Sequence, residues 1–353
     1  MNKIFDEYLK NIEENLNNAL PKNINPQWQK DSFNSLNDCV NFSHFENLVL
    51  PCYSLMSSGG KRWRPLLLVL CSDLALENGK SGISQKETYA LTPLIEFVHT
   101  ASLIHDDIED NADTRRGKPA IHISFGEDVA INAASWLYFE ATVCINNPDF
   151  STEFKNRLYS LYTQELRRLH LGQAMDILWH RNPSLIPTVE EYNQMVQCKT
   201  GTLASLAVQV GLTCGGATVE ESQNGGKIAA FLGQGFQILD DVQNLTTGNP
   251  GKKRGDDIVE GKKSLPVLLH IQENPDDAQK IAQLMKKAGT EGIESSAVEE
   301  CIKILESKGA ILKAKQIGIQ NIEENVKNLS TLFGKETKSS GLIKELFTEM
   351  IPN

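Results

Sequence analysis

The chain has 353 residues, 40% of them hydrophobic, which allows one large domain or two around a sizeable buried core. A formal net charge of -10 argues against nucleic acid or an anionic membrane surface as the main partner, so any phosphate binding must come from locally placed Lys and Arg. Seven scattered cysteines without a CxxC pair fit a reducing compartment better than disulfides or zinc. The apolar run 65–71 is far too short to span a bilayer, and residues 1–10 carry no signal-peptide pattern. The expectation is a cytoplasmic protein without stable membrane insertion.

Residues 1–45 read as peripheral N-terminal helices, rich in Asn and charge. Gly59-Gly60-Lys61-Arg62-Trp63-Arg64-Pro65 then forms a glycine turn into a buried helical run, Leu66 to Leu70. Three cations on such a turn can grip a phosphate through charge and free N–H groups; a basic surface loop is the other reading. Leu91, Leu94, Ile95 and Val98 recur at helical spacing, and their helix ends in Asp106-Asp107-Ile108-Glu109-Asp110. Asp106 and Asp110 fall one turn apart on one face, where like charges repel unless a cation sits between them. Hard oxygen donors favour Mg²⁺; a solvated acidic helix end is the alternative. Arg115 and Arg116 follow, either as ion-pair partners of the acidic end or as planar forks for diphosphate oxygens.

Two helices are predicted over 125–145 and 154–180, then a loop over 182–187 with two prolines. Thr188 with Glu191 is a capping box for a helix that reaches Lys199-Thr200-Gly201. There, either a glycine-marked kink re-aims Lys199 into a cavity or the helix simply breaks. A second helix, Ala229 to Leu239, ends in Asp240-Asp241-Val242-Gln243-Asn244 and repeats the grammar of the first acidic end. A Gly- and Lys-rich loop follows to Asp257, and the remainder is helix with loops near 288–297 and 335–341. No stretch alternates long enough to be a strand and no repeat is visible, so the fold class is all-α in one domain. An NTPase phosphate loop and a Ser or Cys nucleophile motif are both missing.

In order and spacing, six motifs are similar to those of the trans-isoprenyl diphosphate synthases, the polyprenyl synthetase family. They are Gly60-Lys61-Arg62-Trp63-Arg64-Pro65, Asp106-Asp107-Ile108-Glu109-Asp110 with Arg115-Arg116-Gly117, Gly172-Gln173-Ala174-Met175-Asp176, Lys199-Thr200-Gly201, Phe236-Gln237-Ile238-Leu239-Asp240-Asp241, and Gly255-Asp256-Asp257-Ile258 with Glu260-Gly261-Lys262. The resemblance covers about residues 45 to 345, with residues 1–353 taken as one polyprenyl synthetase domain. It implies an isoprenoid synthase bundle of antiparallel helices around a deep central cavity, a homodimer, and three Mg²⁺ ions. It implies condensation of isopentenyl diphosphate with an allylic diphosphate. By similarity Asp106, Asp110 and Asp240 ligate metal, with Asp107 and Asp241 in support. Arg115, Lys199, Gln237 and Lys252 would hold the allylic diphosphate, with Lys262 near the same site. Lys61, Arg64, His99 and Arg116 would hold isopentenyl diphosphate. Thr200 and Gln237 would steady the allylic cation. Asn244 stands where the family often has Asp; together with Pro187 to Tyr192 it is more similar to geranylgeranyl diphosphate synthases of eukaryotic type. Small residues below the first acidic motif, Ser102 and Ala101 with Val98, imply a deep pocket and a product of twenty carbons or longer. A terpene cyclase or head-to-head synthase, and a non-catalytic subunit of a heteromeric synthase, are the competing readings from other classes, beside a farnesyl or longer polyprenyl diphosphate synthase within the family. The two basic clusters argue against the first, and the intact acidic and Arg motifs against the second.

Overall fold

The apolar runs of the sequence are helical in the computed structural model, which describes residues 3–248 and 253–351. The helices are α1 (Asp6–Ala19), α2 (Pro26–Phe33), α3 (Phe42–Met56), α4 (Trp63–Glu77), α5 (Gln85–Ala90) and α6 (Pro93–Glu109). A two-residue hairpin, β1 (Thr114–Arg115) with β2 (Lys118–Pro119), separates them from α7 (Ile121–Phe125), α8 (Glu127–Glu140) and α9 (Thr152–His180). Next come α10 (Val189–Val196), a π-helical turn over Gln197–Gly201, α11 (Thr202–Cys214) and α12 (Val219–Thr246). The chain closes with α13 (Asp256–Val259), α14 (Leu265–Glu273), α15 (Ala278–Glu291), α16 (Ser296–Ser307), α17 (Ala310–Ser330) and α18 (Lys338–Thr348). No helix among the described residues is long and apolar enough to cross a membrane. All seven cysteines are free thiols.

Helix ends follow the sequence's capping chemistry. Asn25 accepts a hydrogen bond from the Trp28 amide with Pro26 in the first helical turn, and Thr188 with Glu191 closes the expected capping box. Three local expectations change. The helix expected over 125–145 is broken at Gly126, whose φ of +96° no α-helix accommodates. The loop expected near 335–341 is already helical from Lys338, and that near 288–297 narrows to the residues between α15 and α16. The hairpin is the one strand pair among the described residues, too short to leave an alternating pattern.

The described chain packs as two compact units. The first comprises residues 1–164, 206–223 and 335–342. Its centre is α4, buried over Leu66 to Leu70, and α6, which packs on α8, a helix whose Ala130, Ala133, Ala134 and Leu137 are buried. The unbroken apolar run Leu66 to Cys71 is what the buried middle of a core helix requires. The second unit comprises 165–205, 224–334 and 343–353. Its core joins Tyr192, Val196, Ile238, Val242, Leu268, Ile281 and Ile302.

Candidate active site

A cavity of about 240 Å³ in the first unit is lined by Gly60 to Arg64 at the entry to α4, Glu96 and His99 of α6, and Arg116 of the hairpin. Lys61, Arg64, His99 and Arg116, the set inferred for one diphosphate, are therefore brought together. Positive backbone φ values at Gly59, Gly60 and Arg62 turn the chain sharply, so that successive basic side chains diverge into one concavity. Arg64 stacks on Trp63 with its guanidinium carbon 4.4 Å from the ring centroid, and its Nη1 lies 3.5 Å from His99 Nε2. Its Nε is buried and has no partner in the protein. Burial, then the charge of Arg116, opposes the pull of Glu96 and brings the Arg64 pKa down to about 10. Burial, followed by Arg64 and Arg116, also pushes His99 well below the usual histidine range, so its imidazole is neutral at neutral pH. Four cations facing one carboxylate in a partly dry recess make an anion site.

The first acidic run ends α6 as expected. Four acidic residues at a helix's carbonyl end oppose the macrodipole, an arrangement that a bound cation relieves. Asp107 is buried, and Arg115 Nε donates to its Oδ1 at 2.7 Å. Arg115 Nη2 also lies 3.6 Å from Asp106 Oδ2. Burial raises the Asp107 carboxyl, against the lowering effect of Arg115. The hairpin explains why adjacent arginines serve different places. Arg116 and Gly117 both have positive φ, the signature of a two-residue type I′ turn, and Arg115 pairs with Lys118 across it. Arg115 thus returns to the acidic end, while Arg116 reaches the carbonyls of Gly59 and Leu55 beside the cavity.

In the second unit, Lys199 lies within the π turn and its Nζ bonds Asp176 Oδ2 at 2.7 Å. The irregularity is thus an extra residue in the helix rather than a glycine kink. Glycine matters there for proximity. A Cβ on Gly201 would lie 2.5 Å from the Ala230 carbonyl oxygen, and one on Gly233 would lie 2.6 Å from Gly201 Cα. A polar chain runs across this crossing. Thr200 Oγ1 donates to Gln237 Oε1 at 2.9 Å, Gln237 Nε2 to Asp241 Oδ1 at 3.0 Å, and Tyr192 OH to Asp241 Oδ2 at 2.6 Å. Burial, with Asp240 adding repulsion, holds the Asp241 carboxyl above the usual range despite those donors. Asp240 itself is exposed.

Asn244 is fully buried rather than turned to solvent. Its Oδ1 accepts the Asp257 amide at 3.2 Å and its carbonyl accepts the Gly255 amide at 2.9 Å. Here it anchors the turn into α13. Lys262 pairs with Glu260 at 2.5 Å, and Lys252 lies outside the described residues. Of the three depth-setting positions, Val98 and Ala101 are wholly buried, whereas Ser102 keeps exposed surface and donates to the His99 carbonyl at 2.9 Å. Sequence reasoning missed Glu96 in the cavity; it had Arg62 only as one of three cations, and Trp63 and Asp176 only as motif members, without Trp63 lining the cavity or Asp176 pairing with Lys199. Glu96 had left a signal, a lone carboxylate inside the apolar run Leu94 to Val98. No group of three or more His, Cys, Asp or Glu among the described residues is arranged to hold a metal on protein ligands alone.

Residues 46–305 match the family model for polyprenyl synthetase. A geranylgeranyl pyrophosphate synthase of Neocamarosporium betae is 34% identical over 298 residues, 82% of this chain and 80% of that one. A geranylgeranyl diphosphate synthase of Saccharolobus solfataricus is 30% identical, over 83% of this chain and 90% of the other. The crystal structure of a geranylgeranyl pyrophosphate synthetase from Pyrococcus horikoshii superposes with a TM-score of 0.80 at 26% identity, covering 98% of this chain and 96% of that one. The chain belongs to the polyprenyl synthetase family and is an all-α isoprenyl diphosphate synthase, a prenyltransferase.

Proposed function

We propose that this chain, as one domain over residues 1–353, extends an allylic diphosphate with isopentenyl diphosphate to geranylgeranyl diphosphate, using Mg²⁺. The observation that carries the reading is the basic cavity with the unpartnered Arg64 Nε, a place for a second diphosphate remote in sequence from Lys199 and Asp240. A cyclase handling one diphosphate has no use for it. Lys61, Arg64 and Arg116 hold the homoallylic diphosphate there. Neutral His99 adds a hydrogen bond without adding charge. By the resemblance, Arg115, fixed by Asp107, and Lys199, fixed by Asp176, would each meet the allylic diphosphate already oriented, a role that Lys252 and Lys262 would share.

Asp106, Asp110 and Asp240 are hard oxygen donors with exposed surface, suited to Mg²⁺, and Asp107 and Asp241 support them from buried positions. Three such ions with the diphosphate would neutralise the charge that develops as it departs. The allylic carbon–oxygen bond breaks, the isopentenyl double bond attacks the cation, and a proton leaves to the released diphosphate. The Gln237 amide, with its carbonyl engaged by Thr200 and its NH₂ by Asp241, is locked where its dipole can steady that cation. Ser102, open on the helical stripe between His99 and Asp106, leaves room for a twenty-carbon chain. A cytoplasmic homodimer completes the proposal. Ile131 and Phe139, exposed two turns apart on α8, form an apolar stripe that a second copy would cover.

Purified protein with Mg²⁺, labelled isopentenyl diphosphate and farnesyl diphosphate should yield a dominant twenty-carbon alcohol after dephosphorylation. A ladder of longer products would refute the chain length, and an unconsumed starter would refute elongation.

A further inference from the structure

The cavity's most buried cation is the one least available to a ligand. Arg62 is 4% exposed and caps α4 with a left-handed φ of +48°. Each of its three nitrogens already donates to the protein. Nη1 bonds Glu96 Oε1 at 2.6 Å, Nη2 the Met56 carbonyl at 2.6 Å, and Nε Glu13 Oε1 at 2.7 Å. Glu13 belongs to α1, which precedes the span matched by the family model, residues 46–305. Three acceptors hold the guanidinium, and the guanidinium holds the backbone turn that carries Lys61 and Arg64, both lining the cavity.

Glu96 poses a problem that Arg62 resolves. It is a carboxylate 2% exposed inside a pocket that must take an anion, and uncompensated it would repel one. Arg62 neutralises it, and Glu13 in turn balances Arg62. The pocket's four cations against these two carboxylates leave a surplus of two positive charges, carried by the groups with open valences.

We propose that Arg62 is a positioning residue for the anion pocket, and that Glu13 makes the N-terminal helix α1 a working part of it. The inference rests on the reading of this pocket as the isopentenyl diphosphate site. Glu13, with a 43% exposed side chain, can be changed to Gln without disturbing the core.

The test is initial-rate kinetics with both substrates varied, alongside calorimetric binding of isopentenyl diphosphate to the wild type. Glu13→Gln should raise KM for isopentenyl diphosphate about threefold, as expected for a half-exposed pair, with kcat, Tm and the allylic KM unchanged. Arg62→Lys, which keeps charge but loses the fork, should raise the same KM about tenfold. The double variant should be no worse than Arg62→Lys alone, because both changes act through one contact. Equal rises in both KM values, or an unchanged KM in Glu13→Gln, would overturn the positioning role while wild-type binding left the pocket's reading intact. A wild type that does not bind isopentenyl diphosphate would overturn both.

Discussion

Arg64, in the binding role proposed for it, is prepared before any ligand arrives. Its guanidinium lies over the Trp63 ring and shares a partly dry recess with Arg116, so its charge is costly there until an anion comes. Removing it should therefore damage binding and spare the fold. Arg64→Ala is expected to raise KM for isopentenyl diphosphate about 10–100-fold, the worth of charge-assisted hydrogen bonds, with Tm unchanged or higher; steady-state kinetics and a thermal melt check both halves. In the proposed function, Ser102 is the corresponding residue for the hydrocarbon. It alone of Val98, Ala101 and Ser102 keeps exposed surface, so a larger side chain projects outward rather than into packed core. Ser102→Phe should shift the main product from twenty carbons to fifteen, read by chromatography of the dephosphorylated alcohols. An unaltered profile would place the pocket floor elsewhere.

Elements set these residues by how closely they approach. The crossing of the π turn with α12 is so tight that Gly201 and Gly233 meet backbone to backbone. Gly233→Ala puts a methyl where no flexible side chain can yield. We expect a loss of roughly 1–3 kcal/mol, seen as a Tm lower by a few degrees, and reduced activity as Thr200 and Gln237 move apart. At the other end of the chain, α2 is tied to α8 by Ser32 donating to Glu140 Oε1 at 2.6 Å. Burial lifts the Glu140 carboxyl to about 7 against the opposing Ser32 hydrogen bond. Because the folded pKa lies above the unfolded value of 4.5, this group favours the folded state fully below about pH 4.5. That contribution is lost as pH rises through about 7. Glu140→Gln should consequently stabilise the protein at pH 8 by on the order of 2–3 kcal/mol and make no difference near pH 4.5. Thermal melts at the two pH values give the comparison.

At the scale of the molecule, the proposed function divides the labour, giving metal to the acidic helix ends and an anion to the basic cavity. Both α6 and α12 carry carboxylate residues that keep exposed surface, Asp106, Asp110 and Asp240, beside buried ones held by donors, Asp107 by Arg115 and Asp241 by Tyr192 and Gln237. Chelation with EDTA should abolish prenyl transfer and added Mg²⁺ should restore it, with far-UV circular dichroism constant throughout. A loss of helix on chelation would make the metal structural instead.

Much of this was legible in the chain itself. The all-α class, the acidic helix ends, the basic glycine turn and the Thr188 capping box are local, since each depends on residues within a turn or two of one another. The family resemblance added roles because six such motifs keep order and spacing. The destinations of the charges were not local. Whether Arg115 and Arg116 go together or apart depends on a two-residue hairpin with no sequence periodicity, and Lys199 is aimed by a π turn rather than by Gly201. That Asn244 anchors a loop, and that Glu13 and Glu96 converge on Arg62, follows from contacts between residues 13 to 49 positions apart. Spacing along a helix is a property of the covalent chain, whereas burial, desolvation and the pairing of distant charges come into being only when the helices pack.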